Sequence, residues 1–279
     1  MKTEYQKSEE KKPGSARNPL RLCFSLLCLC VALGCMIYLG NYFLKSRQSQ
    51  DNIQSLRELI DPDSSDGPDD KEGPEMVEVN GRMVQKKFAA LYEANPDFVG
   101  WVNIPDTKVD YPVMQHAGDN EYYLHRNFEK EWDDSGLPFL DLQCSITKPT
   151  SNMLIYGHNM KAGTMFSGII NYKDEDFYQT HKTFTFHTID GDGEYEVIAA
   201  FYSQIYPEED TEHFKYYHFF DASSAEAFDA YVEEVKALTP YDIAADAGYG
   251  DSLITLSTCA YHTDEGRFAV VARKIETEE

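Results

Sequence analysis

The chain has 279 residues, with 25 Lys and Arg against 48 Asp and Glu, a net charge of −23. A hydrophobic content of 42% with 13% aromatics excludes wholesale disorder. So acidic a surface repels phosphate backbones, and nucleic acid is not expected as a partner.

Charge is distributed unevenly along the chain. Residues 1–50 carry eight basic and three acidic side chains, net +5, and the acids dominate after that. Residues 1–21 read as a basic cytoplasmic tail. Leu22 to Leu44 is a run of 23 residues without a charge, and about 20 apolar residues suffice for a helix to cross a bilayer. Lys2, Lys7, Lys11, Lys12, Arg17 and Arg21 precede it, so the positive-inside rule puts the N-terminus in the cytoplasm and the rest outside. An uncleaved signal anchor is favoured over a cleaved signal peptide, whose apolar stretch is shorter and ends at a small-x-small site. Cys35 lies too deep in the run for a lipoprotein reading of Ala32-Leu33-Gly34-Cys35.

Residues 45–84 read as an acidic extracellular linker, rich in Asp, Ser, Gly and Pro over its second half. The folded domain is expected over 85–279. It opens with a short helix at 85–94 stopped by Asn95-Pro96, followed by β-rich runs at 98–104, 109–114, 137–140, 153–156, 183–188, 195–202, 253–257 and 268–272. Gly191-Asp192-Gly193 reads as a hairpin turn in preference to a calcium loop built on Asp190 and Asp192. Residues 222–238 form the one long amphipathic helix, ended by Thr239-Pro240. Eight or so short strands with few helices imply a mainly β protein, a closed or nearly closed barrel.

Of the six cysteines, Cys23, Cys28, Cys30 and Cys35 fall inside the apolar run, which leaves Cys144 and Cys259 outside it. A single Cys144–Cys259 bridge and a reactive thiol are the two readings. Cys259 ends the apolar strand Leu253-Ile254-Thr255-Leu256-Ser257-Thr258, and Arg267 opens the next strand after a polar turn. A guanidinium facing a thiol favours the thiolate and can hold a developing oxyanion. A cysteine nucleophile also needs a base. His262 in the turn and His158 at a strand end are the candidates.

TLSTC followed eight residues later by Arg, with YGHNM upstream, resembles the sortases, and among them class B. Trp101-Val102-Asn103-Ile104-Pro105, Val109-Asp110-Tyr111-Pro112-Val113, Asp119-Asn120, Tyr123-Leu124, Asn127-Phe128 and Phe139-Leu140-Asp141 extend the resemblance over residues 85–275. It implies a closed eight-stranded sortase-like β-barrel with an N-terminal helix and one long inserted helix near the C-terminal strands. It also implies a membrane-anchored cysteine transpeptidase, in which Cys259 is the nucleophile, His158 the acid/base and Arg267 the oxyanion or positioning group. Ser257, Asn120 and Leu124 would contact the substrate. The substrate would be a secreted protein with a C-terminal sorting signal of the form Asn/Ser-Pro-x-Thr-Gly/Asn, cleaved after Thr. The acceptor would be an amine, from a peptidoglycan precursor or from a pilin lysine. No metal or other cofactor is required. Ala260 after the nucleophile departs from an acidic residue in the class B pattern, which leaves detailed substrate preference open. A hydrolase releasing the peptide to water and a non-catalytic tethered binding module are the alternatives. At reference pKa values near 8.5 and 6.5, the thiolate–imidazolium pair holds only ~1% of an unperturbed population.

Overall fold

The computed structural model describes residues 19–60 and 74–276; the expected basic tail lies largely outside them. Helix α1 (Pro19–Arg57) runs beyond the expected end at Leu44. Its apolar part belongs to a unit ending at Lys45, while residues from Ser46 on belong to the unit that holds everything else. By length and composition the segment Cys23–Arg57 is long and apolar enough to cross a membrane.

Part of the expected 45–84 linker is ordered in that second unit. Ile53 and Leu56 are buried, Tyr111 donates its hydroxyl to Gln50 Oε1 at 3.2 Å, and Arg57 pairs with Asp110. Strands β1 (Met76–Val79) and β2 (Arg82–Gln85) form a hairpin. It turns at Asn80-Gly81 with φ of 52° and 81°, the positive pair a two-residue hairpin favours. The hairpin is fixed to the acids of a later turn: Arg82 pairs with Asp190 at 2.9 Å and Lys87 with Asp192 at 2.5 Å. Asp190 and Asp192 are thus held by cations of the chain itself, in agreement with the hairpin reading. Asp192 is half-buried, yet His187, Lys87 and Gln85 hold its carboxyl below the usual range.

The short helix α2 (Ala89–Ala94) leads into the barrel strands. These are β3 (Phe98–Asn103), β4 (Asp110–Met114), β5 (Phe139–Leu140), β6 (Asn152–Tyr156), β7 (Thr183–Thr188), β8 (Glu194–Gln204), β9 (Leu253–Cys259) and β10 (Gly266–Lys274). They close in the order β10-β8-β7-β3-β4-β5-β6-β9. This is the expected eight-stranded barrel, antiparallel except at β4–β5 and β6–β9. Helix α3 (Glu175–Thr180) follows a 3₁₀ segment, Phe166–Lys173, which packs on β8, β9 and β10. Helix α4 (Ala225–Leu238) is capped by the Ser224 side chain, which accepts from Ala227 N, and lies on β8. Coverage of the barrel strands by these helical segments explains why β9 and β10 read as near-continuous apolar runs: both faces are buried.

Candidate active site

Three strand ends meet at one point of the barrel. Cys259 is the last residue of β9 and lies directly opposite Arg267 in the antiparallel register with β10. Directly opposite residues share a face, with Cβ atoms about 4.5–5.5 Å apart. Strand β6 runs parallel to β9 with Tyr156 level with Ser257; His158 follows two residues after Tyr156, and Cys259 two residues after Ser257. Side-chain and backbone bonds continue the stitching past the strand ends. Gly157 N donates to Ser257 O at 3.0 Å, Thr258 Oγ1 to Gly157 O at 2.6 Å, and Asn159 Nδ2 to Cys259 O at 2.9 Å.

His158 donates through Nε2 to Leu124 O at 2.8 Å. A carbonyl can only accept, so Nε2 carries the hydrogen and Nδ1 keeps its lone pair in the neutral ring. Burial, reinforced by the neighbouring His125, holds His158 below its ordinary pKa despite that hydrogen bond. The His125 ring lies 5.3 Å from His158 and stacks at 5.1 Å on the exposed Trp132. Arg267 is bonded to Gly266 O at 3.0 Å and to Glu265 at 3.5 Å. Ser257 is buried beneath this group, its hydroxyl 2.7 Å from that of Tyr216. Burial raises the fully enclosed Tyr216 to about 12, an effect that Ser257 and Arg267 oppose and Cys259 adds to; thiol and guanidinium are within electrostatic reach of one hydroxyl.

Of the expected site residues, Cys259 and Arg267 are directly opposite each other, and His158 is held by the backbone carbonyl of Leu124 just beyond β6, the strand that pairs with β9. Asn120 is engaged elsewhere, donating to Asp141 Oδ2 at 3.1 Å and accepting from Leu142 N at 2.9 Å. The rival His262 is exposed and its ring rests 4.7 Å from Tyr202. Tyr216, Asn159 and His125 escaped the sequence reading. Only Asn159 had a sequence signal, its place in YGHNM.

Cys144 and Cys259 are both free. Cys144 Sγ accepts from Leu154 N at 3.3 Å, and Leu154 is level with Thr255, four residues before Cys259. At 3.3 Å per residue that offset is roughly 13 Å, beyond the limit of about 7 Å between the Cα atoms of a disulfide. Burial raises the Cys144 thiol to about 11. An alkylating reagent on unreduced, folded protein is therefore expected to label Cys259 and spare Cys144, read by peptide mass spectrometry; a Cys144–Cys259 crosslinked peptide would overturn this. Among the described residues, no group of three or more His, Cys, Asp and Glu side chains converges as a metal site.

A family model for the sortase domain covers residues 102–275. The chain belongs to the sortase family. Sortase B of Listeria monocytogenes is 35% identical over 199 residues, 71% of this chain and 77% of that protein. Among solved structures, the Staphylococcus aureus sortase B–substrate complex aligns with a TM-score of 0.70 at 25% identity, over 84% of this chain and 100% of that one. A sortase B complexed with triglycine gives 0.69 at 25% identity, again over 84% and 100%. These relatives make the present sortase a class B member and a cysteine transpeptidase.

Proposed function

We propose that this sortase cleaves a C-terminal sorting signal after Thr through a thioacyl-enzyme on Cys259 and passes the protein to an amine acceptor of the cell wall. The observation that supports the reading is the strand register: Arg267 lies directly opposite Cys259, and β6, which His158 follows, pairs in parallel with β9, which Cys259 ends. In the neutral ring held by Leu124, Nδ1 is the proton-accepting nitrogen. The Cys259 proton passes to His158 as sulfur attacks the threonine carbonyl. Arg267, released from its long contact with the exposed Glu265, holds the oxyanion. The C–N bond then breaks, and the departing amine takes the proton from His158. An incoming amine attacks the thioester and restores the thiol.

Substrate contacts by Ser257, Asn120 and Leu124 belong to the same reading, as does a sorting signal of the form Asn/Ser-Pro-x-Thr-Gly/Asn. The sortase B relative complexed with triglycine supports an amine acceptor; a pilin lysine is the second candidate. The apolar part of α1 would anchor the chain as a single-pass signal anchor, with the N-terminus in the cytoplasm and the barrel outside, through the positive-inside rule. On this reading 22–44 spans the membrane, part of 45–84 tethers, and 85–279 is catalytic.

The test is incubation with an Asn-Pro-Ala-Thr-Asn peptide, with and without triglycine, followed by mass spectrometry. The expected products are an acylated Cys259 and, with triglycine, a new peptide bond to it. Release of free acid at the same rate with or without amine would overturn transpeptidation in favour of a hydrolase.

A further inference from the structure

His158 owes its ring orientation to one backbone carbonyl, and that carbonyl belongs to a turn with its own foundation. Leu124 lies in the 3₁₀ turn Tyr122–His125. Tyr123, its neighbour, is 1% exposed and buried in the core. Its hydroxyl donates to Asp97 Oδ2 at 2.9 Å and accepts from Asn95 Nδ2 at 2.9 Å. Asp97 also receives His116 Nδ1 and Lys130 Nζ, each at 2.9 Å. Burial works to raise its carboxyl, but the three donors together hold it below the usual range. Asn95 bonds Phe128 O at 2.7 Å with the same amide and accepts from Asp97 N at 3.0 Å. On the far side, Leu137 N donates to Tyr123 O at 3.0 Å. Gly136, at φ +54°, sits so close that a Cβ there would come within 2.2 Å of Leu124 O. The turn is gripped from both sides, and its Leu124 carbonyl holds the imidazole.

We infer that Tyr123, clamped by Asp97 and Asn95, is a positioning residue that fixes the Leu124 carbonyl against Nε2 of His158 and so keeps Nδ1 as the proton acceptor. This rests on the reading of His158 as the acid/base. A histidine free to change tautomer would present an N–H to the thiol for part of the time, and a misplacement near 1 Å at a catalytic group costs up to about a hundredfold in rate. The groups in contact with His158 are the Leu124 carbonyl and the His125 ring. Of these, loss of the Tyr123 hydroxyl loosens only the first.

The experiment compares full-length wild type, Tyr123→Phe and His158→Ala in detergent, with the Asn-Pro-Ala-Thr-Asn peptide and triglycine. Tyr123→Phe is expected to lower kcat about tenfold to a hundredfold with KM within about twofold. The His158 ring ¹⁵N signals should move from a single Nε2–H tautomer toward a mixture. The acid limb of kcat/KM should shift to lower pH, because the Leu124 bond favours the protonated ring. Should Tyr123→Phe not fold, Asp97→Asn keeps the shape and one acceptor and is expected to move the same readouts in the same direction. A drop in melting temperature with wild-type kcat, tautomer and acid limb would overturn the inference while a dead His158→Ala left the acid/base reading standing. An active His158→Ala would overturn that reading itself.

Discussion

Cys259→Ala is expected to abolish both cleavage of the Asn-Pro-Ala-Thr-Asn peptide and transfer to triglycine, with no acylated protein in the intact mass spectrum. The reason is chemical: no other side chain at the junction of β6, β9 and β10 can form the thioester, and Cys144 is buried at least four strand positions away. The fold should survive. The thiol is partly exposed at a strand end, and removing one small group there costs on the order of 1 kcal/mol or less. Thermal unfolding separates the two effects, and turnover near wild type in the variant would sink the nucleophile assignment.

His158→Ala is expected to lose thioacyl formation and transfer together, by about 10²–10⁴-fold, the usual contribution of a general acid–base group. His262→Ala should be mild, because that ring rests on Tyr202 at the outer side of β8 and β10. The pH dependence has a definite sign. Burial and His125 hold the folded His158 below its ordinary 6.5, so the ring is neutral and proton-accepting at pH 7. Activity should fall only on acidification below about pH 6.5. Stability follows the same direction: below pH 6.5 the unfolded chain takes up this proton more readily than the folded one, so this group's contribution is lost as pH falls. Single-turnover acylation measured from pH 4.5 to 8 checks the activity limb, and thermal unfolding over the same range checks the stability. An acid limb above pH 7, or a dead His262→Ala beside a near-normal His158→Ala, would overturn the assignment.

Much of this architecture was legible in the chain itself. Period-2 and continuous apolar runs bounded by turn residues mark strands because a pleated backbone alternates its faces, and all eight barrel strands fall where those runs do. The capped, amphipathic 225–238 and the uncharged 22–44 are equally local signals. Asn80-Gly81 between MVEV and RMVQ carried a hairpin signal too, masked by the acidic, apolar-poor stretch before it. The continuation of α1 through Arg57 was not marked, since its partners Asp110 and Tyr111 are more than fifty residues away.

The barrel strands, the apolar span, and a thiol with an arginine eight residues beyond it are all written in local stretches of the chain, because hydrophobic period, turn chemistry and short-range spacing are properties of neighbouring residues. The parallel register of β6 with β9 exists only in the folded barrel. It joins Gly157 to Thr258 across 101 residues, and so brings the residue before His158 against the residue before Cys259. The same folding turns Ser257 onto Tyr216, engages Asn120 at Asp141, and sets the Leu124 carbonyl against His158. Those outcomes depend on which strand edges pair when the barrel closes, and closure is a property of the whole set of strands that no local stretch of the chain encodes.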